Sequence, residues 1–208
     1  MEESPQVKGG KAITGATAQW QALKEADLSV ICDCSLAKQH SSSELILRFL
    51  ETDILVDIEN CQLKHRHHGQ WNLLDHPLQE LITLVYLQTA APALPRNDMI
   101  GVNELKDAIF FQGAHDLPVA PLLARFGYDP GGFRAAAENK AGEPLEHADA
   151  AYRFYPFPKI PLYYLLWEGD DEFQPSLSIL FDRSIENHLA ADAILGTVNL
   201  VSEALLID

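Results

Sequence analysis

The chain of 208 residues carries 30 acidic and 15 basic side chains, a formal net charge of −15 at pH 7. A surface of this charge repels phosphate backbones and anionic headgroups, so nucleic acid and a membrane surface are not expected as partners. No apolar stretch approaches the ~20 residues of a membrane span, and three cysteines are too few for a disulfide framework. These features predict a globular protein of the cytoplasm.

The first part of the sequence predicts a tail, a helix and a meander of strands. Residues 1–13 are polar and glycine-containing, which indicates a flexible tail before a single domain over residues 14–208. Apolar side chains at helical spacing predict a helix over residues 14–27, and the following segment SVICDCSL is predicted to be a short strand. Three further strands are predicted at residues 44–50, 53–59 and 61–67.

The middle of the sequence is predicted to be helical. Asp75 or His76 caps a helix whose first turn contains Pro77, a position where the missing N–H costs nothing. After a turn-rich connection over residues 90–98, three short helices are predicted to begin at Asn103, Asp116 and Asp129. The last helix is predicted over residues 191–206.

Between these helices the sequence predicts a buried hairpin. Residues 160–167 are uncharged and apolar on both faces, as in a strand covered on both sides. An acidic turn at residues 168–172 follows, and Leu177, Ile179 and Phe181 then alternate inward as a second strand. Early and late strands with helices between them predict an α+β fold with a mainly antiparallel sheet.

The hairpin also carries a set of residues that occur together in a known family. They are Pro158, Pro161, Leu162, Trp167, Asp170, Glu172, Phe173, Ser176, Leu180, Phe181 and Asp182. In these residues the chain, over about residues 40–208, resembles an uncharacterised bacterial and archaeal domain-of-unknown-function family found largely in anaerobes. Some longer members are fused to iron–sulfur segments and are loosely linked to corrinoid proteins. The resemblance implies a corrinoid, tetrapyrrole, iron or metal-ion cofactor, although Cys32, Cys34 and Cys61 do not form a four-cysteine cluster site.

The acidic turn is the first candidate binding site. Its carboxylates and neighbouring aromatic side chains are expected to converge with the end of the second strand, where they would hold a hard cation or a basic partner. The alternative is a solvated turn whose aromatic side chains only pack. The candidate binding residues are Trp167, Asp170, Asp171, Glu172, Phe173 and Asp182.

The second candidate is a metal site on the strand at residues 61–67. Alternation places Cys61, His65 and His67 on one face of this strand, where nitrogen and sulfur ligands suit a transition metal or a haem-like iron. His68 follows directly and completes the candidate set. The alternative is an exposed basic strand, because Lys64 and Arg66 flank His65.

The sequence contains neither a phosphate-binding loop nor a nucleophile elbow, so no catalytic residue is assigned. We therefore expect a non-catalytic binding or accessory protein, acting in corrinoid, tetrapyrrole or metal cofactor metabolism, whose partner is a cofactor or another protein. One alternative is a metal-dependent enzyme that uses the acidic turn 168–172 or the His65–His68 strand. The other is a protein-interaction module with no cofactor.

Overall fold

Two antiparallel sheets of five strands each form the framework of the molecule. The computed structural model describes residues 10–207, with side chains from Gly15 onward. The first half contains α1 (Gly10–Glu25), α2 (Leu28–Ser35), β1 (Lys38–Gln39), β2 (Glu44–Phe49), β3 (Thr52–Asp57), β4 (Gln62–His67), β5 (Gln70–Leu73) and α3 (Pro77–Thr89). The second half contains β6 (Met99–Ile100), α4 (Val119–Phe126), α5 (Pro130–Asn139), β7 (Glu143–Pro144), β8 (Ala150–Phe157), β9 (Ile160–Trp167), β10 (Ser176–Asp182) and α6 (Ala191–Leu206).

The strand order confirms the α+β fold with antiparallel pairing. The first sheet is a meander in the order β1-β2-β3-β4-β5, and the second has the order β6-β10-β9-β8-β7. The two sheets share one hydrophobic core, since the Phe157 ring contacts Phe49 of the first sheet at 5.5 Å between centroids and stacks on Tyr86 at 4.4 Å. None of the helices described between Gly10 and Ile207 has the length and apolarity of a membrane span.

The predicted short strand SVICDCSL is wrong, because this segment forms α2. The Asp27 carboxylate caps the helix by accepting a hydrogen bond from the Ser29 N–H at 2.9 Å. Ile31 and Ser35, one turn apart, are buried, and the Tyr86 hydroxyl on α3 donates to the Ser35 carbonyl at 2.8 Å. Packing against α3 therefore overrides the strand preference of the β-branched residues in this segment.

The other helix predictions have mixed outcomes. α3 begins at Pro77 with His76 as its N-cap, as predicted. α1 begins at Gly10, inside the range predicted as a tail, and residues 1–9 lie outside the described residues. The helix predicted from Asn103 is wrong, because the chain forms three 3₁₀ turns, Val102–Glu104, Ala108–Phe110 and Gly113–His115, and Ile109 is 83 % exposed.

The helices on either side of Gly127 are confirmed, with one cap displaced. α4 has Pro118 rather than Asp116 at its N-cap. Asp129 caps α5, accepting from the Gly132 N–H at 2.8 Å. α6 has the predicted bounds.

The predicted hairpin is confirmed, and β9 lies at the centre of its sheet between β8 and β10. All residues of β9 are buried except Trp167 at its end. β8 was not predicted; it contains Pro156 and has a register shift between Phe154 and Phe157. A proline inside a central strand is tolerated at such an irregularity because the ladder is already interrupted there.

Candidate functional site

The acidic turn forms the exposed tip of the β9–β10 hairpin. The Asp170 carboxylate accepts hydrogen bonds from the N–H groups of Glu172 and Phe173 at 2.8 and 2.7 Å, and the Asp170 N–H donates to the Phe173 carbonyl at 2.9 Å. The hydrogen bonds from Phe173 and Glu172 lower the pKa of Asp170. Asp170 thus fixes the turn, while the side chains of Asp171, Glu172 and Phe173 lie in solvent.

Aromatic side chains surround this tip. Phe173 is 68 % exposed and Tyr128, from the α4–α5 connection, is 61 % exposed. The Tyr128 hydroxyl lies 3.3 Å from the Gln174 side-chain oxygen, and the Gly169 N–H donates to the Gly127 carbonyl at 3.0 Å. A Cβ at Gly169 would lie 2.5 Å from the Tyr128 ring, so glycine is required for this close approach. We call this surface, residues 167–174 with Tyr128, the acidic tip.

Asp182 does not join the acidic tip, contrary to the expectation that the two would converge. It ends β10 and pairs with Met99, six residues or about 20 Å along the strand from Ser176 beside the tip. Its buried carboxylate accepts from the N–H groups of Arg96 (3.0 Å), Asp98 (3.3 Å) and Ser184 (2.9 Å), and from the Ser184 hydroxyl. Burial alone would raise the pKa of Asp182, but these hydrogen bonds outweigh it and the pKa is lowered.

Two more buried polar side chains hold the same connection, residues 91–98. The Ala91 N–H donates to Nδ1 of His188 at 3.2 Å, and the Ala91 carbonyl accepts from Nζ of Lys159 at 2.9 Å. Both side chains are 1 % exposed, and Nε2 of His188 has no partner among the described residues. Burial and the charge of Lys159 lower the pKa of His188. The side chains of Asp182, Lys159 and His188 thus hold the backbone of residues 91–98 in place through hydrogen bonds.

The four residues of the predicted metal site are not brought together. Cys61 precedes β4 in a left-handed turn (φ 52°), and its thiol lies 3.8 Å from the Ile58 carbonyl, at the opposite end of the strand from His67. His65 and His67 share one face, as predicted, with ring centroids 6.3 Å apart, and the His68 ring contacts His67 at 4.1 Å. Among the described residues no three His, Cys, Asp or Glu side chains are arranged to hold a metal ion.

His65 and His67 instead form one wall of a cleft of about 540 Å³, which we call the histidine cleft. The face of β4 that covers the core at Leu63 continues outward to these two histidines, because side chains alternate along a strand. Ile54, the register partner of His65, lies buried beneath this wall, and the apolar side chains with exposed surface in the cleft are Leu74, Ala204 and Ile207. The lining residues are Phe49, Leu50, Glu51, Thr52, Ile54, His65, His67, Leu74, Gln79, Lys140, Ala204 and Ile207.

A polar rim lies above this apolar surface. Nζ of Lys140, just after α5, lies 3.4 Å from Oε1 of Glu51 in the β2–β3 turn, and both side chains are partly exposed. The amide of Gln79 and the two imidazoles add further hydrogen-bonding groups. Leu50 adopts a left-handed conformation (φ 47°) at the same turn, which is costly for a residue other than glycine.

Only the two histidines of this cleft were found from the sequence. Lys140, Glu51 and the buried Gln79 come from a helix end, a hairpin turn and the start of α3, and no motif marks any of them in its own segment. The alternation of β4 was the only local signal, since it predicted that His65 and His67 share a face. It did not indicate which segments lie opposite them.

These observations define a domain of two antiparallel sheets with one amphipathic cleft, an exposed acidic tip and a buried polar anchor. The chain belongs to the family described as "Domain of unknown function (DUF3786)", whose model matches residues 27–204. The match confirms the resemblance to a domain-of-unknown-function family and extends it toward the N-terminus from about residue 40. No curated protein and no solved structure matches the chain.

Proposed function

We propose that this protein is a non-catalytic binding protein that takes up a small amphipathic molecule in the histidine cleft. The main observation in support of this proposal is that one cleft of about 540 Å³ combines an apolar surface with a few converging polar groups. Ligand sites in proteins have this composition and a volume of roughly 300–1,000 Å³. The cleft is larger than two other clefts of the described residues, which have volumes of about 260 and 430 Å³.

The polar groups of the cleft favour a role in ligand binding over a role in catalysis. The hydroxyl of Thr52, the one hydroxyl among the lining residues, donates to the Arg66 carbonyl at 3.2 Å. A nucleophile activated by a histidine would need its hydrogen bond to the imidazole instead. The two imidazoles therefore serve as hydrogen-bonding and stacking surfaces in this proposal. The proposal of a corrinoid, tetrapyrrole or metal ion as the ligand rests on the family resemblance. The visible absorbance and the metal content of the purified protein would distinguish these ligand classes.

Filling the cleft is expected to abolish ligand uptake. Ala204→Trp places an indole among the lining residues and changes no charge. Nile red, an uncharged aromatic dye, should bind the natural chain saturably at one site and should not bind the variant. Dye fluorescence measures the uptake, and circular dichroism checks that the variant is folded.

The matched control is Ala22→Trp, which adds the same side chain at an exposed position of α1. It should bind the dye as the natural chain does. Equal binding by the Ala204→Trp variant would place uptake elsewhere and overturn the proposal.

A second candidate function, docking of a basic protein segment, is favoured by the exposed aromatic side chains of the acidic tip. Phe173 and Tyr128 lie beside carboxylates on a turn that is already ordered, so a lysine or arginine can contact a ring and a carboxylate together. Phe173→Ser is expected to weaken binding of a hexalysine peptide about 3-fold in titration calorimetry. Ile109→Ser, which removes an even more exposed apolar side chain elsewhere, should leave the binding of the peptide unchanged. Equal effects of the two variants would show that the peptide binds through general charge attraction and not through Phe173.

A further inference from the structure

Lys140 and Glu51 give the histidine cleft a charged group of each sign, and the pair decides which ligand charge the cleft accepts. Their closest atoms are 3.4 Å apart, and the relative exposures of the two side chains are 21 % and 38 %. A partly exposed ion pair of this kind is weak, so either partner can be released to a ligand at little cost. The question is which of the two charges stays in the cleft when a ligand enters.

Burial and hydrogen-bond chemistry favour Lys140 as the group that stays. Lys140 is the less exposed partner, and it also lines the adjoining cleft of about 260 Å³ between α5 and α6. Glu51 lies in the two-residue β2–β3 turn and is the more exposed partner, so its carboxylate can turn into solvent. The neighbouring Gln79 amide supplies two N–H donors beside its acceptor oxygen, and each imidazole supplies at least one N–H.

Lys140 and Glu51 are the only fully charged side-chain types among the lining residues of the cleft. β4 also carries Lys64 and Arg66, but side-chain alternation places both on the face opposite His65 and His67. On that face Lys64 is neutralised by Asp57 at 2.8 Å and the Arg66 guanidinium lies over the Trp71 ring at 5.9 Å. The charge of a ligand in the cleft is therefore met by Lys140 and Glu51 alone among the lining lysines, arginines and acids.

We propose that the ligand of the histidine cleft is an amphipathic anion, with an apolar body against Leu74, Ala204 and Ile207 and a carboxylate or similar acidic group on Lys140. In this arrangement the acidic group of the ligand competes with the Glu51 carboxylate for Lys140 and displaces it. The inference rests on the proposed function, since it assumes that the cleft binds a small molecule.

Three probes with the same apolar body test the charge preference: 2-naphthoate, 2-naphthamide and 2-naphthylmethylamine. The natural chain is expected to bind the anionic naphthoate about 3- to 5-fold more tightly than the neutral amide, and the cationic amine most weakly, as calorimetry or naphthyl fluorescence would show. Lys140→Gln should remove the preference for naphthoate. Glu51→Gln should strengthen naphthoate binding about 3-fold, because the competing carboxylate is gone.

Lys106→Gln and Asp107→Asn are the charge-matched controls, because both residues are exposed and lie outside the cleft. They should leave all three affinities unchanged. Preference for the amine, or a Glu51→Gln variant that binds naphthoate no better, overturns the anion inference but leaves the binding function in place. If none of the three probes binds at all, the binding function itself fails.

Discussion

Replacing Asp182 by alanine is expected to lower the free energy of unfolding by about 2–4 kcal/mol, one of the two largest single-residue effects that the structure implies. The carboxylate accepts hydrogen bonds from three backbone N–H groups and one hydroxyl in a buried position. Alanine leaves these donors without an acceptor, so residues 96–98 stay attached to the end of β10 only through Asp98, whose carbonyl accepts from the Arg183 N–H at 2.9 Å. Chemical denaturation monitored by tryptophan fluorescence measures the loss.

The same carboxylate gives stability a defined dependence on pH. The pKa of Asp182 is lowered by folding, so its contribution is present above the unfolded pKa of about 3.9 and is lost as the pH falls through the folded pKa. The stability difference between the natural chain and Asp182→Asn should therefore shrink below about pH 4. Asp98→Asn is the control on the same connection, because Asp98 pairs with Arg183 at the surface. If it destabilises as much as Asp182→Ala, the role assigned to Asp182 is wrong.

The second large effect concerns Lys159, and its size depends on what replaces the lysine. Lys159→Ala is expected to cost about 2–4 kcal/mol because it leaves a cavity and an unpaired Ala91 carbonyl. Lys159→Met fills the same space without a charge. No carboxylate among residues 15–207 lies within salt-bridge distance of this ammonium, so methionine also removes an uncompensated buried charge. We expect its stability within about 1 kcal/mol of the natural chain.

Thermal and urea unfolding of Lys159→Ala and Lys159→Met separate the effect of the cavity on stability from the effect of the buried charge. A methionine variant as unstable as the alanine variant would show that the ammonium itself stabilises the fold, and would contradict the assignment of an uncompensated charge. His188→Gln separates the hydrogen bond of His188 from its position beside the Lys159 charge. The glutamine side-chain oxygen can still accept from the Ala91 N–H, but the imidazole near the ammonium of Lys159 is removed.

Elements with a strong local pattern could be predicted from the sequence. The β9–β10 hairpin was predicted because eight uncharged residues precede an acidic turn and a period-2 strand. α6 was predicted because its apolar residues keep one helical stripe over sixteen positions. α2 could not be predicted in this way, since Val30 and Ile31 favour a strand locally and only the contact with α3 selects a helix.

The candidate site required information that no single segment contains. The lining of the histidine cleft extends from Phe49 to Ile207, and Lys140 meets Glu51 across 89 residues of sequence. Asp182 was assigned to the acidic turn because the two share a hairpin, but a seven-residue strand separates them. Lys159 did carry a local signal. It directly precedes a strand that is buried on both faces, where a charged side chain needs a specific partner.

The lengths of the outer strands have a consequence for self-association. Three of the four sheet edges in the described part of the chain end in strands of two residues, β1, β6 and β7. Such short edges offer too few free N–H and C=O groups to template pairing with a second copy. Only β5, with four residues and the exposed Leu73, presents a longer edge. Among the terminal strands of the two sheets, β5 is therefore the one expected to pair with a second copy in concentrated solution, beside the histidines of β4.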